Sequence, residues 1–283
     1  MTTVCALAAI LIWSSLASLS VSLAGIPPLM LIGCSLLIGG SLSLPWRRNW
    51  NLNWKTISIG CYGMLLYHLL FILALRNAPP VSANIVHYSW PMLIVLLSPV
   101  VLKNFRLEVA HCICALIGFG GAGLAIVSAS NAGSVQWQWG YLFAFAAAVV
   151  WSTYSLALKR MTKTSNADVG FACLLSGAIA LGLHFLFEPT PIPPPLQFLE
   201  IALLGLGPMG GAFYLWAYAL KSGNPMVIGV MANAIPLISS ALLVAIGYGL
   251  FTWALGFSAI LVSTASLFVF LKYPIRSPQF QQD

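Results

Sequence analysis

Asn84, His87, Tyr88 and Trp90 stand close together in NAPPVSANIVHYSWPMLIVLLSPVVL, residues 77–102, and Pro91 follows directly. None of the four is a strong acid or nucleophile. Together they offer flat rings, imidazole nitrogens, a phenol and an amide, a set suited to stacking on a small organic solute and hydrogen-bonding to it. The ring faces also attract cations. At helical spacing Asn84, His87 or Tyr88, and Pro91 share one face. Further polar-tipped rings lie in equally apolar surroundings: Trp13, Tyr67 with His68, Trp151 with Tyr154, and Tyr214 with Tyr218. Asn233 precedes Pro236 in a similar setting. If these residues converge they form an aromatic-walled binding site; helix packing or lipid contact would use the same residue types.

The missing chemistry narrows the function. The acidic residues Glu108, Asp168, Glu188, Glu200 and Asp283 all fall at the ends of apolar tracts or in loops. A buried carboxylate is the usual carrier in proton-coupled transport. That leaves His68, His87, His111 and His184 for proton handling, with hydrogen bonding as their first expected role. The six cysteines sit inside apolar tracts, without the spacing of a disulfide framework or a zinc site. No metal or cofactor is expected. GFGGAG (118–123) lacks the following Lys and the strand context of a phosphate loop. It and GLGPMGG (205–211) are expected to let helices approach closely. EPTPIPPP (188–195) reads as a stiff, extended outer loop. Without an acid, base or metal cluster at one depth, an enzyme is not expected.

The elements that must position these residues are apolar. Hydrophobic residues make up 60% of the 283 and charged residues only 6%, whereas a soluble domain is about 25% charged. Apolar tracts long enough to cross a bilayer, about 20 residues each, run near 4–22, 26–44, 56–75, 81–102, 107–127, 138–157, 168–187, 197–219, 225–246 and 251–271. An all-α membrane protein of ten transmembrane helices is predicted. The first tract has no Lys or Arg before it and an apolar run too long for a signal peptide, so it is read as a retained span. With the amino terminus in the cytoplasm, Arg47, Arg48, Lys55, Lys103, Arg106, Lys159, Arg160, Lys163, Lys221, Lys272 and Arg276 are inside and only Arg76 is outside. This bias places both termini in the cytoplasm. It also accounts for the net charge of +7, so no nucleic-acid partner is expected.

The chain repeats itself. ALRNAPPVSANIVHYSWP (74–91) lies without a gap over ALKSGNPMVIGVMANAIP (219–236), matching Arg76 with Lys221, Pro80 with Pro225 and Pro91 with Pro236. AAILIWSS (8–15) resembles AAAVVWST (146–153) and pairs Trp13 with Trp151. Two halves follow, 1–130 and 137–273, with a short cytoplasmic tail at 274–283. Five helices per half is an odd number, so the second half enters the membrane inverted. Inverted repeats typify transporters with a midplane site between the halves. Pro91 and Pro236 each remove a backbone donor and crowd the carbonyl four residues back, and two such breaks at equivalent positions mark hinges and a binding site.

Ten helices, twin five-helix halves and proline-bearing fourth and ninth helices resemble the drug/metabolite transporter superfamily of the EamA type, over essentially the whole chain. Within it, VHYSWPMLIVLLSPVVL (86–102) is similar to the fourth-helix signature of the aromatic amino acid exporters, mainly through Tyr88, Trp90 and Pro91. Many EamA proteins carry a Glu just past the fourth and ninth helices; this chain has none at 103–106 or 248–250. The resemblance implies a monomeric bacterial inner-membrane exporter of aromatic amino acids and related small organic solutes, working by alternating access and resembling a uniporter. The alternatives are proton-coupled multidrug or metabolite efflux using a histidine and, further off, a membrane pore.

Overall fold

The computed structural model describes residues 2–50, 52–101, 109–128, 138–161, 165–222, 232 and 234–272. Among the described residues every regular element is helical. α1 (Thr2–Ser14) and α2 (Leu16–Ser22) are followed by α3 (Pro28–Ser41) and a 3-10 turn (Leu44–Asn49). α4 (Trp54–Cys61), a π-helical turn (Tyr62–Leu66) and α5 (Tyr67–Arg76) run on without a break. α6 (Pro80–His87), α7 (Trp90–Val101), α8 (Val109–Ser128), α9 (Trp139–Arg160) and α10 (Asn166–Phe187) come next. α11 (Pro195–Leu206), a second π turn (Gly207–Gly211), α12 (Ala212–Ser222), α13 (Ile235–Ala245) and α14 (Trp253–Lys272) complete the described chain.

Thr2–Ser22, Trp54–Arg76, Trp139–Leu158, Ala167–Phe187 and Pro195–Trp216 are long and apolar enough to cross a membrane. Pro28–Ser41, Ala115–Ser128, Ile235–Ala245 and Trp253–Thr264 are shorter apolar helices. Leu116, Phe185, Leu186, Phe187 and Val109 are exposed, as helices facing hydrocarbon require. The ninth predicted tract, 225–246, is described only at 232 and from 234 onward, so Asn233 and Pro225 lie outside the described residues.

Local chemistry sets the helix ends. Pro28, Pro80 and Pro195 occupy first helical positions, where the missing N–H costs nothing. Asn53 caps α4 by accepting from Thr56 N at 2.9 Å. Ser165 and Asp168 form a capping box on α10, the Asp168 carboxylate accepting from Ser165 N at 2.8 Å and Ser165 Oγ from Ala167 N at 3.1 Å. α13 ends in a Schellman motif, with Tyr248 N donating to Leu243 O and Gly247 N to Val244 O. Gly247 adopts φ 82°, which only glycine reaches without strain.

α3 packs along α10, α5 along α9, α1 along α12 and α8 along α14. Glycines bring the first pair together. A Cβ on Gly40 would lie 2.7 Å from Leu174 N and 2.8 Å from Gly170 O, and one on Gly177 would lie 2.9 Å from Gly33 O. The backbones therefore touch, the geometry that small residues permit between membrane helices. The fourth predicted span is broken. α6 ends at His87, Tyr88 and Ser89 form a turn, and α7 begins at Trp90, one residue before Pro91. Ser89 Oγ caps the break by donating to Val86 O at 2.8 Å.

Candidate functional site

Rings from several helices meet at the centre of the bundle. Trp151 on α9 is the hub, its centroid 4.9 Å from Tyr67, 5.5 Å from Tyr154, 5.7 Å from Phe213 and 6.5 Å from Trp90. Tyr67 lies 4.8 Å from His68 and 5.6 Å from His87. His87 in turn is 4.6 Å from Phe71 and 5.3 Å from Tyr88. Phe213 on α12 reaches Trp13 on α1 at 5.5 Å, and Trp216 lies 5.2 Å from Trp13. These are tilted or edge-on contacts, each adding about 0.5–1.5 kcal/mol beyond area burial.

The same centre carries unspent hydrogen-bonding capacity. His68 is fully buried and its Nδ1 lies 2.6 Å from Met64 O. A carbonyl only accepts, so Nδ1 holds the proton and donates, and Nε2 is a lone-pair acceptor with no partner among the described residues. His87, 3% exposed, has neither ring nitrogen partnered among them. Asn84, fully buried, donates from Nδ2 to Ser239 Oγ at 3.0 Å, and its Oδ1 has no partner among the described residues. An unpaired buried polar atom costs about 1–3 kcal/mol, so a cluster of them implies water or ligand to complete it. Tyr88, at the turn, also interacts with Ser239 on α13, so the broken fourth span meets the ninth here.

Of the residues singled out in the sequence, Trp13, Tyr67, His68, His87, Tyr88, Trp90, Trp151 and Tyr154 belong to this web, and Asn84 borders it through the break that follows. Tyr214 and Tyr218 lie outside it. The Tyr214 hydroxyl donates to Gly39 O at 3.4 Å beside the α3–α10 seam, and Tyr218 is 38% exposed. α12 instead turns Phe213 and Trp216 inward, and Phe71 joins from α5. Sequence reading passed over Phe71 and Phe213 because they lack the polar tips used to select candidates, and passed over Trp216 although it carries one. Asn233 lies outside the described residues, as do the side chains of Pro91 and His111. Pro236 is the second residue of α13, and the Ala234 carbonyl ahead of it accepts from Ile238 N at 3.0 Å.

A second polar cluster lies away from the rings. The Glu188 carboxylate accepts from Leu29 N at 3.1 Å and Met30 N at 3.3 Å, capping α3, and pairs with His184 Nδ1 at 2.9 Å. Thr190 Oγ1 is 3.1 Å from His184 Nε2. The nearby Arg76 guanidinium donates to Leu23 O at 3.3 Å and to Ile26 O. Glu188 thus pins the start of α3 to the end of α10, a role the sequence did not signal because the α3 partners are about 160 residues away in sequence. A cleft of about 560 Å³ beside Arg76, Gln138 and Trp139 shares no residue with the ring web.

Comparison with known proteins places this architecture. A protein of Ancylobacter novellus named aromatic amino acid exporter YddG is 36% identical over 265 residues, covering 90% of this chain and 91% of its own. A Salmonella typhimurium protein of the same name is 27% identical over 203 residues, covering 68% of this chain and 67% of its own. One solved crystal structure, 33% identical, superposes with a TM-score of 0.74 over 98% of this chain and 99% of that one. The EamA-like transporter family matches residues 1–127 and again 138–271. With its apolar helices, the chain is a multi-pass protein of the bacterial inner membrane that serves a small-molecule substrate. It belongs to the EamA-like transporter family.

Proposed function

We propose that this transporter exports aromatic amino acids and related small organic solutes by alternating access, as a uniport-like carrier and not an enzyme. The observation that carries the reading is the buried ring web with unpartnered polar atoms on His68, His87 and Asn84. The rings suit the flat side chain of the solute. Nε2 of His68 and Oδ1 of Asn84 are acceptors suited to its ammonium group, while His87 can either donate or accept. Two relatives bear the name aromatic amino acid exporter, which supports the same substrate class.

In this reading the ten helices form inverted halves, 1–130 and 137–273, with both termini in the cytoplasm and a tail at 274–283. The separate family matches over 1–127 and 138–271 support two halves, and the lysine and arginine bias supports the orientation. Pro91, beside the break in the fourth span, and Pro236, at the start of α13, act as hinges while one half rocks against the other around the site. Among the described residues no carboxylate belongs to the ring web, and movement down the solute's own gradient needs none.

Liposomes containing the purified protein and labelled phenylalanine or tryptophan test the proposal. Saturable counterflow that persists after the pH gradient is collapsed is the expected result. Loss of transport on collapse would favour proton-driven efflux through His68 or His87. Flux that neither saturates nor shows counterflow would indicate a pore.

A further inference from the structure

The two π turns, Tyr62–Leu66 and Gly207–Gly211, occupy equivalent places in the two halves: the alignment that puts Arg76 on Lys221 and Pro91 on Pro236 puts one turn on the other, residue for residue. A π turn widens the helix, kinks it, and occurs preferentially at functional positions. YGMLL and GPMGG share only their central methionine, Met64 and Met209, both fully buried. Each turn also offers one carbonyl to a ring of the central web. His68 Nδ1 donates to Met64 O at 2.6 Å, and Trp13 Nε1 donates to Pro208 O at 3.2 Å, the latter from the first half of the chain to the second.

Both turns lie where the opposite half approaches closely. The Tyr154 ring covers Gly63, leaving Cδ2 only 2.2 Å from where a Cβ would stand. Gly210 faces Gly39, whose Cα would be 2.5 Å from an added Cβ, and Gly207 faces Ile12. Movement of one half over the other would shift the packing against both turns. The side chains that hold their carbonyls are the ones a solute would displace.

We propose that Trp13 and His68 are positioning residues, each holding one of two matched π turns in its present form, so that a ring-bearing solute taking over either side chain frees that turn to flex. This rests on the carrier function above. Trp13→Phe keeps a ring and removes the donor to Pro208 O. His68→Phe removes the donor to Met64 O, and His68→Asn retains one, because its amide nitrogen stands where Nδ1 does.

Hydrogen–deuterium exchange on the full-length protein in detergent, without solute, reads the turns directly. Trp13→Phe is expected to speed amide exchange about tenfold across 207–211 and leave 62–66 unchanged; His68→Phe is expected to do the reverse, and His68→Asn to restore wild-type exchange. In liposomes both phenylalanine variants are expected to change the counterflow rate about tenfold. The inference is overturned if neither turn responds, if protection falls over the whole chain, or if His68→Asn behaves as His68→Phe does. Wild-type protein that moves no aromatic amino acid, together with variants that loosen their own turns, would count against the carrier reading and in favour of the coupling between side chains and turns.

Discussion

The α3–α10 seam and the ring web are built in opposite ways. At the seam, Gly33, Gly40 and Gly177 bring two backbones so close that an added Cβ would stand 3.0 Å or less from a backbone atom of the facing helix. The web keeps its helices apart with large side chains whose centroids are 4.6 Å or more apart, and leaves Nε2 of His68 and both ring nitrogens of His87 without a partner among the described residues. A backbone contact has one arrangement and tolerates no substitution, whereas rings can tilt and an orphan nitrogen can take a new partner. The seam is thus suited to hold α3 against α10 and the web to accept a solute and rearrange around it.

Breaking the seam should have the largest effect. Gly40→Leu forces side-chain atoms against Leu174 N and Gly170 O. Overpacking of this kind costs about 1–3 kcal/mol or more where backbone must move, so little folded protein should survive fluorescence-detected size-exclusion chromatography. Gly120→Leu serves as the control, since nothing lies within 4 Å of its Cβ position, and its elution profile should match wild type. In the web, Trp151→Ala removes ring contacts to Tyr67, Tyr154, Phe213 and Trp90. Solute affinity measured by scintillation proximity should fall at least about tenfold, equivalent to the roughly 1.4 kcal/mol expected from one or two such contacts.

Smaller effects separate the two regions further. Glu188→Gln removes the charge that caps α3 and partners His184. A cap of this kind is worth about 0.5–2 kcal/mol, so a thiol-reactive dye melt should shift down by a few degrees while affinity for solute stays unchanged. Tyr218→Ala, at an exposed position, should alter affinity and melting least, by no more than about 0.5 kcal/mol.

The sequence disclosed these regions unequally. The helical membrane class followed from 6% charged residues, and the break before Pro91 followed from a ring that cannot donate. The side of α12 that faces the web was hidden, because Phe213, Tyr214, Trp216 and Tyr218 put an aromatic on nearly every face and leave periodicity nothing to discriminate. The matched π turns had little local signature either, the two segments sharing only Met64 and Met209. A π turn reflects how the surrounding helices pack, and GLGPMGG could be read only as close packing. Glu188 was invisible for a third reason: its partners Leu29 and Met30 are distant in the chain, and a loop carboxylate resembles any solvated charge.

Counterflow of labelled phenylalanine into liposomes, measured in parallel for wild type, Trp151→Ala and Tyr218→Ala, bears most directly on the ring web as the transport site. Saturable exchange is expected for wild type and Tyr218→Ala, with half-saturation raised at least about tenfold in Trp151→Ala. Equal half-saturation in all three proteins would contradict it.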